Sequence, residues 1–408
     1  MITAYLKPTN YCNVDCAHCY LPESVRANKN KMTPETLHKV MQFLKEMQLK
    51  QKKNSLFLLW HGGEPLTLPN EYFEMAGEII DSYFKDGLVE AVQTSLIPYR
   101  KELAPLVHKR WNGQIGSSMD FNSRILRGSV EEYQNLWMYK VDLARSDNIL
   151  VLPTIVPNKK DCHNAEYIYK WFKDRSLWIW GMDRYSNFNG TLPEFSTNRE
   201  HAKFLIDLFD LTMKDIEQYG YAPMIKTLSS GIAGVLYDTP GDRWGGTCQS
   251  DFVVINPDGK LNNCPDKDSF EESYGNIFDG FQSFQAAPLR KKWIRIQQAG
   301  HRIDDCYSCE NASWCKSGCP ITGNACNVNG EVDECSGFRS FLSHVRKYIK
   351  NSSENKEKLI KYVNQDFIPY DKFFPNKEKE DIKVKEQSSI ILTNGHYKII
   401  AKIKLFLT

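Results

Sequence analysis

The sequence has no excess of charge of either sign: Lys and Arg total 52 and Asp and Glu total 50 among 408 residues, a net +2. The basic field that steers and holds nucleic acid is therefore missing, and no nucleic-acid partner is expected. No apolar run reaches the roughly 18 residues a membrane helix needs, and the opening MITAYLKPTNYC has neither the basic stretch nor the apolar core of a secretory signal. These absences predict a soluble, cytoplasmic chain with no membrane partner. No internal repeat at solenoid periods is present. The size predicts a main domain of about 200 to 250 residues and a smaller one, so disulfide staples are not needed.

Cysteine, by contrast, is plentiful and unevenly placed. All 12 except Cys162 fall into two groups, Cys12 to Cys19 and Cys248 to Cys335. In a reducing compartment that clustering points to metal or redox chemistry, and the solitary Cys162 reads as a small buried, inert thiol.

From residue 2 to about 190, short apolar runs alternate with amphipathic stretches. ITAYLKPT, SLFLLWHGG, EAVQTSLI, QIGSSMDF, NILVLPTIV and SLWIWGMD read as strands. TPETLHKVMQFLKEMQ reads as a helix capped by Thr33 and Pro34, EYFEMAGEIIDSYFKDG as one closed by Gly87, and VEEYQNLWMYKVDLARS as a third. Strand and helix alternating in this way predict an α/β fold with a parallel sheet, either open and doubly wound or a full or partial barrel. In such folds ligands sit at the carboxyl ends of the strands, where the first cysteine group, Gly62-Gly63-Glu64, Gln93-Thr94 and Ser118 to Asp120 all fall. Residues 197 to 235 read as helical and bridging. DFVVINPDGKLNNC reads as a hairpin turning at Pro257-Asp258-Gly259, and SGFRSFLSHVRKYIKN as a helix. Residues 351 to 388 read as a mobile linker, and the last segment as a hairpin about Asn394-Gly395.

Cys12, Cys16 and Cys19, spaced Cys-x3-Cys-x2-Cys, put three soft ligands on one loop after the first strand. A structural zinc would need a remote fourth residue, whereas a 4Fe–4S cube held by three thiolates keeps one iron open for a small chelating ligand. This spacing matches the signature of the radical S-adenosylmethionine (SAM) superfamily. The resemblance implies SAM chelated at the free iron, cleavage to a 5′-deoxyadenosyl radical, and His18 beside the adenine. WHGGEPL, Trp60 to Leu66, resembles the family's GGEP motif, with Gly62 and Gly63 allowing close approach and Glu64 accepting from the SAM ammonium. VQTSLI and GSSMDF resemble further SAM-contacting strand ends. They bring in Gln93, Thr94, Ser118 and Asp120, with Arg124 or Arg127 reaching the SAM carboxylate. Ser95, Leu96 and Phe121 depart from the family pattern.

Cys248-x10-Gly259-x4-Cys264, then Cys306-x2-Cys309-x5-Cys315-x3-Cys319 and a final Cys335, resembles the SPASM domain. The resemblance implies a partial (β/α)6 TIM-like barrel over residues 1–235, a SPASM domain over 236–345 with two auxiliary 4Fe–4S clusters, and a linker and hairpin of no assigned role over 346–408. Three clusters follow in all. Cys306, Cys309, Cys315 and Cys335 would ligate the outer auxiliary cluster. Cys248, Cys264 and Cys319 would ligate the inner one, with its fourth position open or taken by Cys326. The implied activity is that of a radical SAM oxidoreductase that modifies a ribosomally made precursor peptide, most simply by crosslinking side chains, with flavodoxin or ferredoxin as electron donor. With the triplet starting at residue 12, no leader-binding winged helix is expected ahead of it. Formylglycine formation is disfavoured because Pro265 follows Cys264 and the candidate base, Asp266, is displaced by one residue. Oxidation of a small molecule and a non-catalytic zinc-binding interaction module are the rival readings.

Overall fold

A computed structural model describes residues 1–184, 194–246, 248–264, 273–300, 306–319 and 334–373, with the backbone of two further strands at 383–389 and 401–407. Strand and helix alternate along the chain: β1 (Ile2–Leu6), α1 (Pro34–Lys50), β2 (Leu56–Trp60), α2 (Asn70–Tyr83), β3 (Leu88–Thr94), α3 (Ala104–Arg110), β4 (Gln114–Ser118), α4 (Val130–Ser146), β5 (Leu150–Ile155), α5 (Ala165–Asp174), β6 (Ile179–Met182) and α6 (Asn198–Tyr219). They are followed by α7 (Lys226–Tyr237), β7 (Phe252–Ile255), β8 (Leu261–Asn262), α8 (Arg339–Asn351), α9 (Ser353–Val363) and the strands β9 (Lys383–Ser389) and β10 (Ala401–Leu407). No helix among the described residues is long and apolar enough to cross a membrane.

The chain divides into two compact units. The first comprises Met1–Met119, Ser123–Val151 and Cys248–Arg295. Its strands lie in the order β8-β7-β1-β2-β3-β4, parallel throughout except for the antiparallel β7–β8 hairpin. Local signals set the helices. The Thr33 hydroxyl accepts from the Thr36 N–H with Pro34 in the first turn, and α1 then turns Leu37, Val40, Met41 and Leu44 inward at helical spacing. Trp60, Phe73 and Trp111 meet edge to face, with centroids 5.5 and 5.8 Å apart, each ring removing about 2 kcal/mol or more of apolar surface cost from water. One pairing has no local signal: β7, from the cysteine-rich part of the sequence, joins the parallel strands and runs parallel to β1, Thr3 opposite Phe252 and Leu6 opposite Ile255.

The second unit comprises Asp120–Asn122, Leu152–Thr247 and Ile296–Thr408. Here β5 runs parallel to β6, and β6 parallel to the short strand Met224–Ile225. Phe172 of α5 stacks on Trp180 of β6 with centroids 4.7 Å apart. The bridging helical region is two helices: α6 starts with a reciprocal Thr197–Glu200 capping box and stops at left-handed Gly220, and α7 follows.

The expected linker from 351 onward is different. Residues 353–363 form α9, because Ser352 caps it and Leu359, Tyr362 and Val363 give it a buried face in spite of its polar composition. The Tyr362 hydroxyl accepts from the Ile225 N–H at 2.8 Å. Gly87, at φ +72, belongs to the turn entering β3, while α2 closes at Phe84. β9 and β10 pair antiparallel with Ser389 opposite Ala401, and the Asn394-Gly395 turn lies outside the described residues.

Candidate functional site

The loop after β1 carries Cys12, Cys16 and Cys19, all half-buried. Its backbone is fixed from several sides. The Cys12 N–H donates to the Arg26 carbonyl at 3.0 Å, the Cys19 N–H to the Cys16 carbonyl at 3.0 Å, and the Ala17 N–H to the Ser123 carbonyl at 2.8 Å. Asp15–Cys16 also forms a short antiparallel ladder with Arg124–Ile125, in which Cys16 faces Arg124. Beneath the loop runs the end of β2. Gly63 donates to the Thr9 carbonyl at 3.0 Å and Glu64 to the Tyr11 carbonyl at 2.7 Å. A Cβ on Gly63 would lie 2.3 Å from the carbonyl oxygens of Asn10 and Tyr11, so only glycine lets the two segments come this close.

Glu64 is fully buried. One carboxylate oxygen accepts from the Leu66 N–H at 3.0 Å and the Thr94 hydroxyl at 2.5 Å; the other accepts from the Ser95 N–H at 2.7 Å and from the Ser95 hydroxyl. Burial pushes the carboxyl above the usual carboxylate range, and these hydrogen bonds pull it back. A carboxylate has about four acceptor positions, so an incoming ammonium would exchange with a rotatable hydroxyl of Thr94 or Ser95. Gln93 donates to the Ser118 hydroxyl at 2.9 Å, and Tyr133 donates to the Ser118 carbonyl at 2.7 Å.

The structure therefore brings Cys12, Cys16, Cys19, Gly62, Gly63, Glu64 and Thr94 together, and links Gln93 to Ser118. His18 sits in the same loop with its Nδ1 buried. Arg124 reaches the Cys16 sulfur at 3.2 Å. Arg127 is not part of this group: its side chain is 79% exposed and pairs with Glu132 at 2.9 Å. Asp120 lies in the second unit, where its carboxylate accepts from the Val156 N–H and clamps the end of β5. Three further participants are not among the site residues expected from the sequence. Ser95 supplies two of the four donors to Glu64. Lys7, fully buried, donates to the Tyr20 hydroxyl at 2.6 Å. His61 is held neutral, its pKa pushed down to about 3 by burial and by the charges of Lys7 and Arg124.

Three thiols share this half-buried loop. Burial, Glu64, and the other two cysteines push Cys12 up to about 12. A cationic metal–sulfur centre removes that penalty by taking the thiolates as ligands. Two buried polar atoms nearby, Asn10 Oδ1 and His61 Nδ1, have no hydrogen-bond partner among the described residues, which fits a site completed by a ligand. The donor set and these atoms fit a cluster with a polar ligand.

In the second unit, Cys306, Cys309, Cys315 and Cys335 gather around a tight turn and the single-turn helix Ala312–Cys315. A Cβ on Gly337 would stand 2.6 Å from Cys315 Sγ and 3.8 Å from Cys335 Sγ, so these two thiols flank it. Cys306 Sγ is 3.4 Å from the Ser317 hydroxyl. Burial first, then Cys335 and Cys309, raise Cys315 to about 12; burial, with Glu334 and Cys306, raises Cys335 to about 11. Cys335 and Cys309 thus lie near enough to act on Cys315, and Cys306 near enough to act on Cys335. Among the described residues no three His, Cys, Asp or Glu side chains converge as a single metal ion requires; ligands at the corners of a cube stand further apart. Cys248 and Cys264 belong to the first unit and Cys319 to the second. Asp266 and Cys326 lie outside the described residues. Cys162 is buried 3.9 Å from His201 Nδ1, and burial lifts its thiol to about 12, in keeping with an inert side chain.

No protein-family model matches this chain. An uncharacterized protein of Synechocystis sp. is 37% identical over 51% of this chain and 54% of its own length. The chain spans only about half of that relative, and a quarter of an uncharacterized Archaeoglobus fulgidus protein at 34% identity. The serine-type anaerobic sulfatase-maturating enzyme of Bacteroides thetaiotaomicron is 22% identical over 83% of this chain and 87% of its own. Among solved structures, native anSMEcpe with bound AdoMet has a TM-score of 0.71 at 19% identity, over 89% of this chain and 99% of that one. Streptococcus suis SuiB bound to precursor peptide SuiA has a TM-score of 0.56 at 14% identity, over 78% and 72%. The chain thus resembles the radical SAM, SPASM-type maturases and has their mixed α/β fold with a mostly parallel sheet.

Proposed function

We propose that this chain is a radical SAM/SPASM oxidoreductase that modifies side chains of a ribosomally made peptide, crosslinking being the first choice of reaction. On this reading residues 1–235 bind the SAM cluster, 236–345 bind two auxiliary clusters, and a low-potential donor such as flavodoxin or ferredoxin supplies electrons. The observation that carries it is the three-thiol loop pinned from below by Gly63 and Glu64. Cys12, Cys16 and Cys19 would hold a 4Fe–4S cluster, and with SAM bound beside it the site would supply radical chemistry at unactivated C–H bonds.

The chain's own residues bind and orient. Glu64 presents buried negative charge toward an ammonium, and the hydroxyls of Thr94 and Ser95 turn away to admit it. Gln93 and Ser118, fixed to one another, offer polar groups at adjoining strand ends. His61 remains neutral and so neither repels a sulfonium nor takes a proton at working pH. For the auxiliary centres, Cys306, Cys309, Cys315 and Cys335 are the outer set, and Cys248, Cys264 and Cys319 the inner set.

The experiment is anaerobic reconstitution, reduction and incubation with SAM and a short peptide encoded beside the gene. 5′-Deoxyadenosine should form, the peptide should lose two hydrogen atoms, and the joint Cys12, Cys16 and Cys19→Ala variant should do neither. Continued 5′-deoxyadenosine formation by that variant would sink the assignment. A second reading, maturation of a Cys or Ser residue in a sulfatase-like protein, draws on the extent of the match to the sulfatase-maturating enzyme. At cysteine it would replace sulfur by oxygen as well as removing two hydrogens, a different mass.

A further inference from the structure

Three arginines approach the first cysteine loop in sequence or space, and they are used differently. Arg26 donates to the Val14 carbonyl at 3.2 Å and the Asp15 carboxylate at 2.8 Å, so it braces the loop backbone. Arg127 is turned to solvent and paired with Glu132. Arg26 is near enough to Cys19 and Cys12 for their charges to act on it, whereas Arg124 hydrogen-bonds to a cysteine sulfur, its Nη1 standing 3.2 Å from Cys16 Sγ. That approach is built into the backbone: the ladder between Asp15–Cys16 and Arg124–Ile125 sets Arg124 opposite Cys16, and the neighbouring Ala17 N–H to Ser123 carbonyl bond holds the register.

We infer that Arg124 is a positioning residue that donates a charge-assisted N–H···S hydrogen bond to Cys16 and so raises the reduction potential of the cluster held by Cys12, Cys16 and Cys19, instead of clamping the carboxylate of SAM. The inference rests on the radical SAM reading. Its physics is general. Taking up one electron adds a unit of negative charge to the cube and its sulfurs, and a donor and positive charge at a ligand sulfur stabilise that state more than the oxidised one. The charge of Arg124 is felt elsewhere in the site, since it helps to hold His61 unprotonated. A guanidinium suits the task because it stays charged when partly buried and donates in a fixed plane.

The test is an EPR-monitored potentiometric titration of the reconstituted full chain without SAM, using an added low-potential reductant. The signal of this cluster is identified by its loss in the joint Cys12, Cys16 and Cys19→Ala variant. Arg124→Met should lower the ratio of reduced to oxidised cluster at fixed potential about tenfold, or about 59 mV for a one-electron couple. SAM affinity of the oxidised protein should change much less. An unshifted midpoint with SAM binding weakened tenfold or more would overturn the inference in favour of a carboxylate clamp. Should Arg124→Met fail to assemble the cluster, Arg124→Lys serves: it keeps the charge without the planar fork, and its midpoint should fall part of the way, a wild-type midpoint being the overturning result. If wild-type protein shows no signal that the triple cysteine variant removes, it is the radical SAM reading that fails, and the two failures are told apart.

Discussion

Glu64 is the residue on which the first site turns. Its carboxylate collects four donors while fully buried, and two of them, the Leu66 and Ser95 N–H groups on opposite oxygens, cannot rotate away. Glu64→Gln would set an amide N–H₂ against a donor, and leaving such a buried group unsatisfied costs about 1–3 kcal/mol. Urea unfolding of the iron-free protein should show that loss and SAM binding should fall with it; an unchanged midpoint would mean the carboxylate is not held as described. His61 makes a pH prediction. Its folded pKa, about 3, lies below the usual value of 6.5, so the unfolded chain binds the proton more readily. Its contribution is therefore complete above 6.5 and is lost as pH falls toward 3, with a slope of up to about 1.4 kcal/mol per unit. Between those values the unfolding free energy of wild type should fall with acid more steeply than that of His61→Gln. Glu64 was legible from its Gly-Gly-Glu-Pro setting. Ser95 and His61 were not, since a serine at a strand end and a histidine beside glycines carry no periodic or spacing signal until the fold places them.

At the scale of elements, the close crossing of the β2 end under the cysteine loop is the least forgiving feature. Gly63→Ala drives a methyl group to 2.3 Å from two carbonyl oxygens, so one strand must move. Iron at the first site should be lost on anaerobic reconstitution while iron in the cysteine-rich region is retained, and retention of all iron would show that the loop is free to shift. The sequence read α4 from Val130 to Ser146 correctly because Ser129 caps it and Tyr133, Trp137, Val141 and Ala144 mark one face. It misread α9, because a Lys- and Glu-rich stretch hides its three apolar contacts among charges. The Cys16–Arg124 ladder could not be read at all. Two residues on each strand are too few for a pattern, and their partners are more than 100 positions apart.

For the whole molecule, the two sets of thiols make a stoichiometric prediction. The three 4Fe–4S clusters proposed would give about 12 iron atoms per chain, and replacing Cys12, Cys16 and Cys19 by alanine should remove about 4 of them. Iron and labile sulfide assays of anaerobic protein check this, and zinc in place of iron would end the cluster assignment. The alternating α/β plan was legible because each strand and helix declares itself locally. The arrival of β7 beside β1 was not, since pairing between positions 3 and 252 leaves no trace in either stretch alone.

That same pairing has a mechanical result. The strand that launches Cys12 and the hairpin between Cys248 and Cys264 share one hydrogen-bonded ladder, with the Lys7 N–H donating to the Ile255 carbonyl at 2.9 Å just where the loop departs. Both thiol-bearing segments therefore start from the same hydrogen-bonded footing. The spacing of their starting points is set by the rungs of a single ladder, like marks on a ruler.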